Sequence, residues 1–144
     1  MSATLRRLLV IATALLVANA AGAQSTPAAA DWTQIRTVIA AQRDALVDGN
    51  GQRAFSFAAP SIQRQFGDVD TFMRMVQQSY APLIDARYVE FLEGAVIGGD
   101  VVQPLRLVMN DGTVWVAIYG MQRQSDGSWR IVSCVIAPST VRSA

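Results

Sequence analysis

The chain has 144 residues, with no histidine, one cysteine, and 12 basic residues, all arginine, against 11 acidic ones. Without histidine there is no Ser-His-Asp triad or Cys-His pair, and without lysine no Schiff base or phosphate-loop lysine. A near-neutral charge favours neither nucleic acid nor an anionic membrane surface, and a lone cysteine forms no internal disulfide.

The N-terminus reads as an export signal. Arg6 and Arg7 precede an uncharged apolar run over residues 8–17. Two Ala-x-Ala sequences follow, Ala18-Asn19-Ala20 and Ala21-Gly22-Ala23, completing the layout of a secretory leader. The run has about half of the roughly twenty residues that span a bilayer. Cleavage after Ala23 is therefore expected, with the product exported to the periplasm or secreted and no stable membrane insertion. With two of the 12 arginines in the leader, ten remain against 11 acids, a net charge of −1. Residues 24–30 read as a flexible lead, 31–138 as one domain and 139–144 as a C-terminal tail.

The first half of the domain is helical in pattern. Asp31 is the expected N-cap, with Gln34 three residues on. Trp32, Ile35, Val38, Ile39 and Leu46 recur at helical spacing, and Gly49-Asn50-Gly51 closes the first helix. A shorter stretch over 53–58 stops at Pro60, and Ser61 caps a further turn that Gly67 ends. Asp70 then caps a third helix carrying Phe72, Met73, Val76 and Tyr80, ended before Pro82.

The second half reads as four strands, over 87–97, 101–110, 113–124 and 129–137. Gly98-Gly99-Asp100, Asp111-Gly112 and Ser125-Asp126-Gly127-Ser128 are the turns between them. Helices followed by an antiparallel meander predict an α+β fold. A two-residue Asp111-Gly112 loop would set Val108 opposite Trp115, and a four-residue second loop would set Tyr119 opposite Cys134. Alternation then gives an aliphatic face with Leu105, Leu107, Val114, Val116, Ile118, Ile131 and Val135, expected beneath the helices. The other face, with Arg106, Trp115, Tyr119 and Cys134, is expected to look outward.

Four candidate functional residues emerge. Arg106, Trp115 and Tyr119 form an expected interface or ligand-contacting cluster, because these residue types dominate such contacts. Gln42 interrupts the apolar stripe of the first helix, so it either bonds a backbone turn or lines a pocket. No catalytic residue is assigned: Glu90 and Glu93 point to opposite faces, and Asp44 and Asp48 fall on the wet side of their helix. Scattered carboxylates give no metal site, no cofactor motif is present, and Cys134 reads as a buried, inert thiol.

Taken together, Gln42 to Ala45 with Asp48, the segment 54–62, Gln65-Phe66-Gly67, 72–80 with Pro82, Asp111-Gly112-x-x-Trp115-x-Ala117-x-Tyr119 and Gln124-x-Asp126-Gly127-x-Trp129-Arg130-Ile131-x-x-Cys134 are similar in order and spacing to an uncharacterised bacterial family, domain of unknown function 4864. The resemblance covers residues 31–137. It implies a cone like that of nuclear transport factor 2, with helices on a curved four-stranded sheet, and supplies no functional residues. Proteins of that shape include enzymes and pure binding modules, so fold alone does not choose.

The expected function is a non-catalytic module of the bacterial envelope that takes a small apolar ligand or a protein partner, as a homodimer through the outward sheet face. The alternative is a cofactor-free isomerase, dehydratase or hydrolase. That reading requires a buried carboxylate near Tyr or Arg in an enclosed pocket.

Overall fold

The structure, a computed structural model, describes residues 26–140. The expected leader and residues 141–144 lie outside the described residues.

α1 (Ala29–Val47) starts ahead of Asp31, which is its third residue and not its N-cap. The Ala28 backbone N–H donates to Asp31 Oδ2 at 2.8 Å, the reciprocal half of a capping box. Ile35, Ile39, Gln42, Ala45 and Leu46 are its buried stripe, on the i, i+4, i+7 spacing of an amphipathic helix. Gly49, at a φ of 71°, turns the chain back. α2 (Gly51–Ser56) is capped by Asn50, whose Oδ1 accepts the Arg53 N–H at 3.1 Å.

Pro60 begins a helix where the sequence suggested a stop. It stands in the first turn of α3 (Pro60–Phe66), where its missing N–H costs nothing. α4 (Val69–Ser79) is capped by Asp68, not Asp70: Asp68 Oδ1 accepts the Thr71 N–H at 2.7 Å. Pro82 repeats the behaviour of Pro60, opening the short α5 (Ala81–Asp85) instead of closing the helical half.

The sheet is antiparallel, in the order β1-β3-β4-β5, with β2 also on β3. It has five strands where four were expected. β1 (Tyr88–Phe91) and β2 (Ala95–Ile97) both pair with β3 (Asp100–Val108), so the strand expected over 87–97 is one edge broken at 92–94. The register shifts by one residue across the break, from Phe91 opposite Leu105 to Ala95 opposite Val102. Gly94 within it lies against the Trp32 ring.

β4 (Val114–Arg123) and β5 (Trp129–Pro138) complete the meander, and both hairpins close on three-residue loops. In the first, the Gly112 N–H donates to the Met109 carbonyl at 3.1 Å, and the Met109 N–H donates to the Thr113 carbonyl at 2.9 Å. Gly127 to Gln124 and Gln124 to Ser128 repeat this at 2.9 and 2.7 Å. Gly112 and Gly127 take φ of 81° and 84°, the left-handed position of a three-residue hairpin. In each loop the aspartate before the glycine accepts from the backbone N–H and hydroxyl of the residue after it, Thr113 or Ser128.

The first loop overturns the expected faces of β4, while Tyr119 lies opposite Cys134 as expected. Val108 is opposite Val114, and Leu107, not Val108, is opposite Trp115. A one-residue slip exchanges every β4 side chain between faces. The core side of the sheet therefore combines Leu105 and Leu107 with Trp115, Ala117, Tyr119 and Met121, while Val116 and Ile118 share the outward side with Arg106. Val135, paired with Ile118, is also outward and 63% exposed. The link between α2 and α3 is sewn to β5 by Ile131, which donates to the Phe57 carbonyl at 3.0 Å and accepts from the Ala59 N–H at 2.8 Å. Helices on one face of an open antiparallel sheet make the chain an α+β protein.

Candidate ligand-binding cavity

A cavity of about 590 Å³, open to solvent, lies between the helices and β5. Its size is that of a small-molecule site, which runs from roughly 300 to 1,000 Å³. α1 contributes Gln42 and Leu46, and α3 contributes Ile62, Gln65 and Phe66. Phe72, Met75, Val76 and Ser79 come from α4, followed by Tyr80 and Leu83. The sheet side is Tyr119 with Ile131, Val132, Ser133 and Cys134. Phe72 is fixed by ring contacts to Phe55 and Phe66, at centroid distances of 5.1 and 5.8 Å.

A β-bulge sets the sheet side. Gly120 is opposite Ser133 and Met121 opposite Ile131, so Val132 has no partner on β4. The extra residue lets Ile131 and Cys134, three apart, both serve the interior. Gly120 leaves room here for the Ser133 hydroxyl, which a Cβ would push aside.

Gln42, Tyr80, Tyr119 and Cys134 are the buried or half-buried polar residues of the lining, and Gln65, Ser79 and Ser133 are exposed. The Gln42 amide donates to the Ala54 carbonyl at 3.2 Å while the residue lines the cavity, so it does both things its place in the stripe allows. The Tyr80 hydroxyl donates to the Cys134 carbonyl at 2.8 Å, tying the end of α4 to β5. Burial raises the Tyr80 hydroxyl above its ordinary value, with Cys134 adding to the effect. Tyr119, 1% exposed, sits on the floor. Its hydroxyl is buried and meets no acceptor or donor in hydrogen-bonding geometry, although the Cys134 thiol lies beside it. A hydroxyl left so costs about 1–3 kcal/mol.

Burial dominates the ionisation of this floor. It pushes Tyr119 well above the ordinary tyrosine value, with Cys134 reinforcing and Arg43 opposing. It also pushes the Cys134 thiol up to about 12, partly offset by the Tyr119 hydroxyl. Both groups are neutral across the physiological range. None of the residues lining the cavity is charged.

The candidate cluster Arg106, Trp115 and Tyr119 is not assembled. Tyr119 and Trp115 lie on the core side, and only Arg106 is outward, paired with Glu90 across β1 and β3. The cause is the three-residue first loop. Glu93, Asp44 and Asp48 are exposed, and none of them lines the cavity. Asp44 and Asp48 border a shallow charged hollow with Arg43, Arg53 and Arg87. Arg43 is committed there: its guanidinium donates to the Leu83 and Ala86 carbonyls at 3.0 and 2.6 Å.

Tyr80 and Cys134 are site residues that sequence reasoning did not select. Their signal was weak: Tyr80 could face a cavity but nothing in the pattern singles it out, and Cys134 sits in an apolar run. Among the described residues no group of His, Cys, Asp or Glu could hold a metal ion, and no helix is long and apolar enough to cross a membrane.

No curated protein matches the chain. One family model does, over residues 28–144, which takes in the five helices and the sheet of the described residues. With so much of the chain matched, this protein belongs to the family described as domain of unknown function (DUF4864).

Proposed function

We infer that this protein is an exported binding module whose cavity takes a small, largely apolar ligand. The observation that carries the reading is the cavity floor, where Tyr119 holds a buried hydroxyl without a hydrogen-bonded partner. Folded proteins rarely keep such a group, and a bound molecule would satisfy it. A binding role is favoured over catalysis because the lining offers no carboxylate or guanidinium to move a proton or hold an anion. We read the helices over the sheet as the cone of nuclear transport factor 2-like proteins. Export rests on the leader-like sequence of residues 1–23.

The test is native mass spectrometry of protein purified from its own host, beside Ile62→Trp. Ile62 is half-buried and lines the cavity, so the indole fills space with little strain on the core. The expected result is an added mass on the native protein that Ile62→Trp loses. Equal loading of both proteins, or no binding by either to added apolar compounds, would show that the cavity is not a ligand site.

A further inference from the structure

We propose that the ligand is electrically neutral and presents a hydrogen-bond acceptor, such as a carbonyl oxygen, to the Tyr119 hydroxyl at the buried end of an otherwise apolar body. This rests on the cavity being a ligand site and adds the chemical class of its occupant.

Charge is excluded by the walls. The lining contains no Asp, Glu or Arg, and the chain has no Lys or His. A carboxylate or ammonium drawn inside would lose its hydration and meet no counter-charge. The guanidinium that Tyr119 feels is that of Arg43, which is bonded to the Leu83 and Ala86 carbonyls and lies outside the lining.

The acceptor follows from which of the buried and half-buried donors are already used, Gln65, Ser79 and Ser133 being exposed residues of the lining. Gln42 gives an amide N–H to Ala54, and Tyr80 gives its hydroxyl hydrogen to the Cys134 carbonyl. Tyr119 has made no such commitment. Its neighbour, the Cys134 thiol, is a weak acceptor that competes poorly with an oxygen. Leu46, Phe72, Val76 and Ile131 are among the buried apolar residues that share the lining with Tyr119.

The experiment is calorimetric titration of the mature protein with four probes of one chain length: methyl nonyl ketone, undecane, undecanoate and undecylamine. The ketone is expected to bind about tenfold more tightly than the alkane, the value of one buried hydrogen bond. Undecanoate and undecylamine at neutral pH are expected to bind more weakly than the ketone. In Tyr119→Phe the ketone should fall to the affinity of the alkane, with alkane binding unchanged. That unchanged binding also shows that the variant folds. Tightest binding by undecanoate or undecylamine would overturn the proposal, as would a ketone preference that survives in Tyr119→Phe. Equal binding of ketone and alkane to the native protein would overturn this proposal alone and leave the cavity a ligand site. No binding by any probe would overturn both.

Discussion

Trp32 lies over Gly94 so closely that a Cβ on the glycine would overlap Cζ3 of the indole. The contact joins the start of α1 to the break between β1 and β2. Gly94 has no positive φ, so only space forbids a side chain.

Gly94→Ala is expected to destabilise the fold by about 1–3 kcal/mol through overpacking. In a Trp32→Leu background the same change should cost less than about half of that, since a smaller side chain can yield. Urea unfolding of the four proteins of this cycle measures both values. Equal costs in the two backgrounds would rule out the steric account.

Tyr119→Phe should leave the ligand-free protein as stable as the native one, or more stable by up to about 1 kcal/mol. It removes a buried hydroxyl that has no bond to lose. Most polar-to-apolar losses at binding sites act in this direction, improving stability at the expense of function. Chemical denaturation of ligand-free protein provides the check. A loss of more than about 1 kcal/mol would mean the hydroxyl is bonded after all.

Stability should fall at alkaline pH, beginning near the ordinary thiol value of 9.0, because Cys134 is held protonated to about 12 in the fold. Between those values the unfolded chain gives up a proton that the folded one keeps. Unfolding is then favoured by up to about 1.4 kcal/mol for each pH unit. In Cys134→Ala the decline should begin about one unit higher, where the buried Tyr119 takes over from an ordinary value of 10.0. Thermal melts across this range would separate the two onsets. At neutral pH the folded thiol should resist alkylating reagents that modify the unfolded chain.

At the acid end Asp31 is the group to watch. Its carboxylate is held below the ordinary value, first by the Ala28 backbone N–H and then by Trp129 and Arg123. The stability it confers is present above the ordinary value of 3.8 and disappears as the pH drops through the lowered one. Asp31→Asn should therefore flatten the acid limb below about pH 4 and leave the alkaline limb alone. An unchanged acid limb would place the titration elsewhere, Asp68 and Asp126 being the other carboxylates held low.

The helical half was readable because its signals are local. Ile35, Ile39, Gln42 and Leu46 lie one turn apart, and all four are buried as that spacing requires. Caps were readable only to within a residue or two, since Asp68 and Asp70 are equally suited and the tertiary setting decides. Pro60 and Pro82 misled for a physical reason: a proline both ends one helix and starts the next. The sheet faces were lost at a finer scale. Asp111-Gly112 suits a two-residue loop and Ser125 to Ser128 a four-residue one, but the Thr113 and Ser128 hydroxyls donate to the preceding aspartates, and both loops take the three-residue form. The cavity itself was out of reach of sequence reasoning, because Gln42, Tyr80, Tyr119 and Cys134 come from α1, the end of α4, β4 and β5.

The unpaired Val132 gives β5 a bend. Removing that one residue would shorten and straighten the strand without turning it over: Ser133 would stay opposite Gly120 and Cys134 opposite Tyr119. Cys134 would keep its place on the cavity side and Val135 its place in water. Length variation at this point would therefore change the bend of β5 along the ligand chamber and leave its facing intact, because pairing with β4, not the number of residues, holds Ile131 and Cys134 on one side.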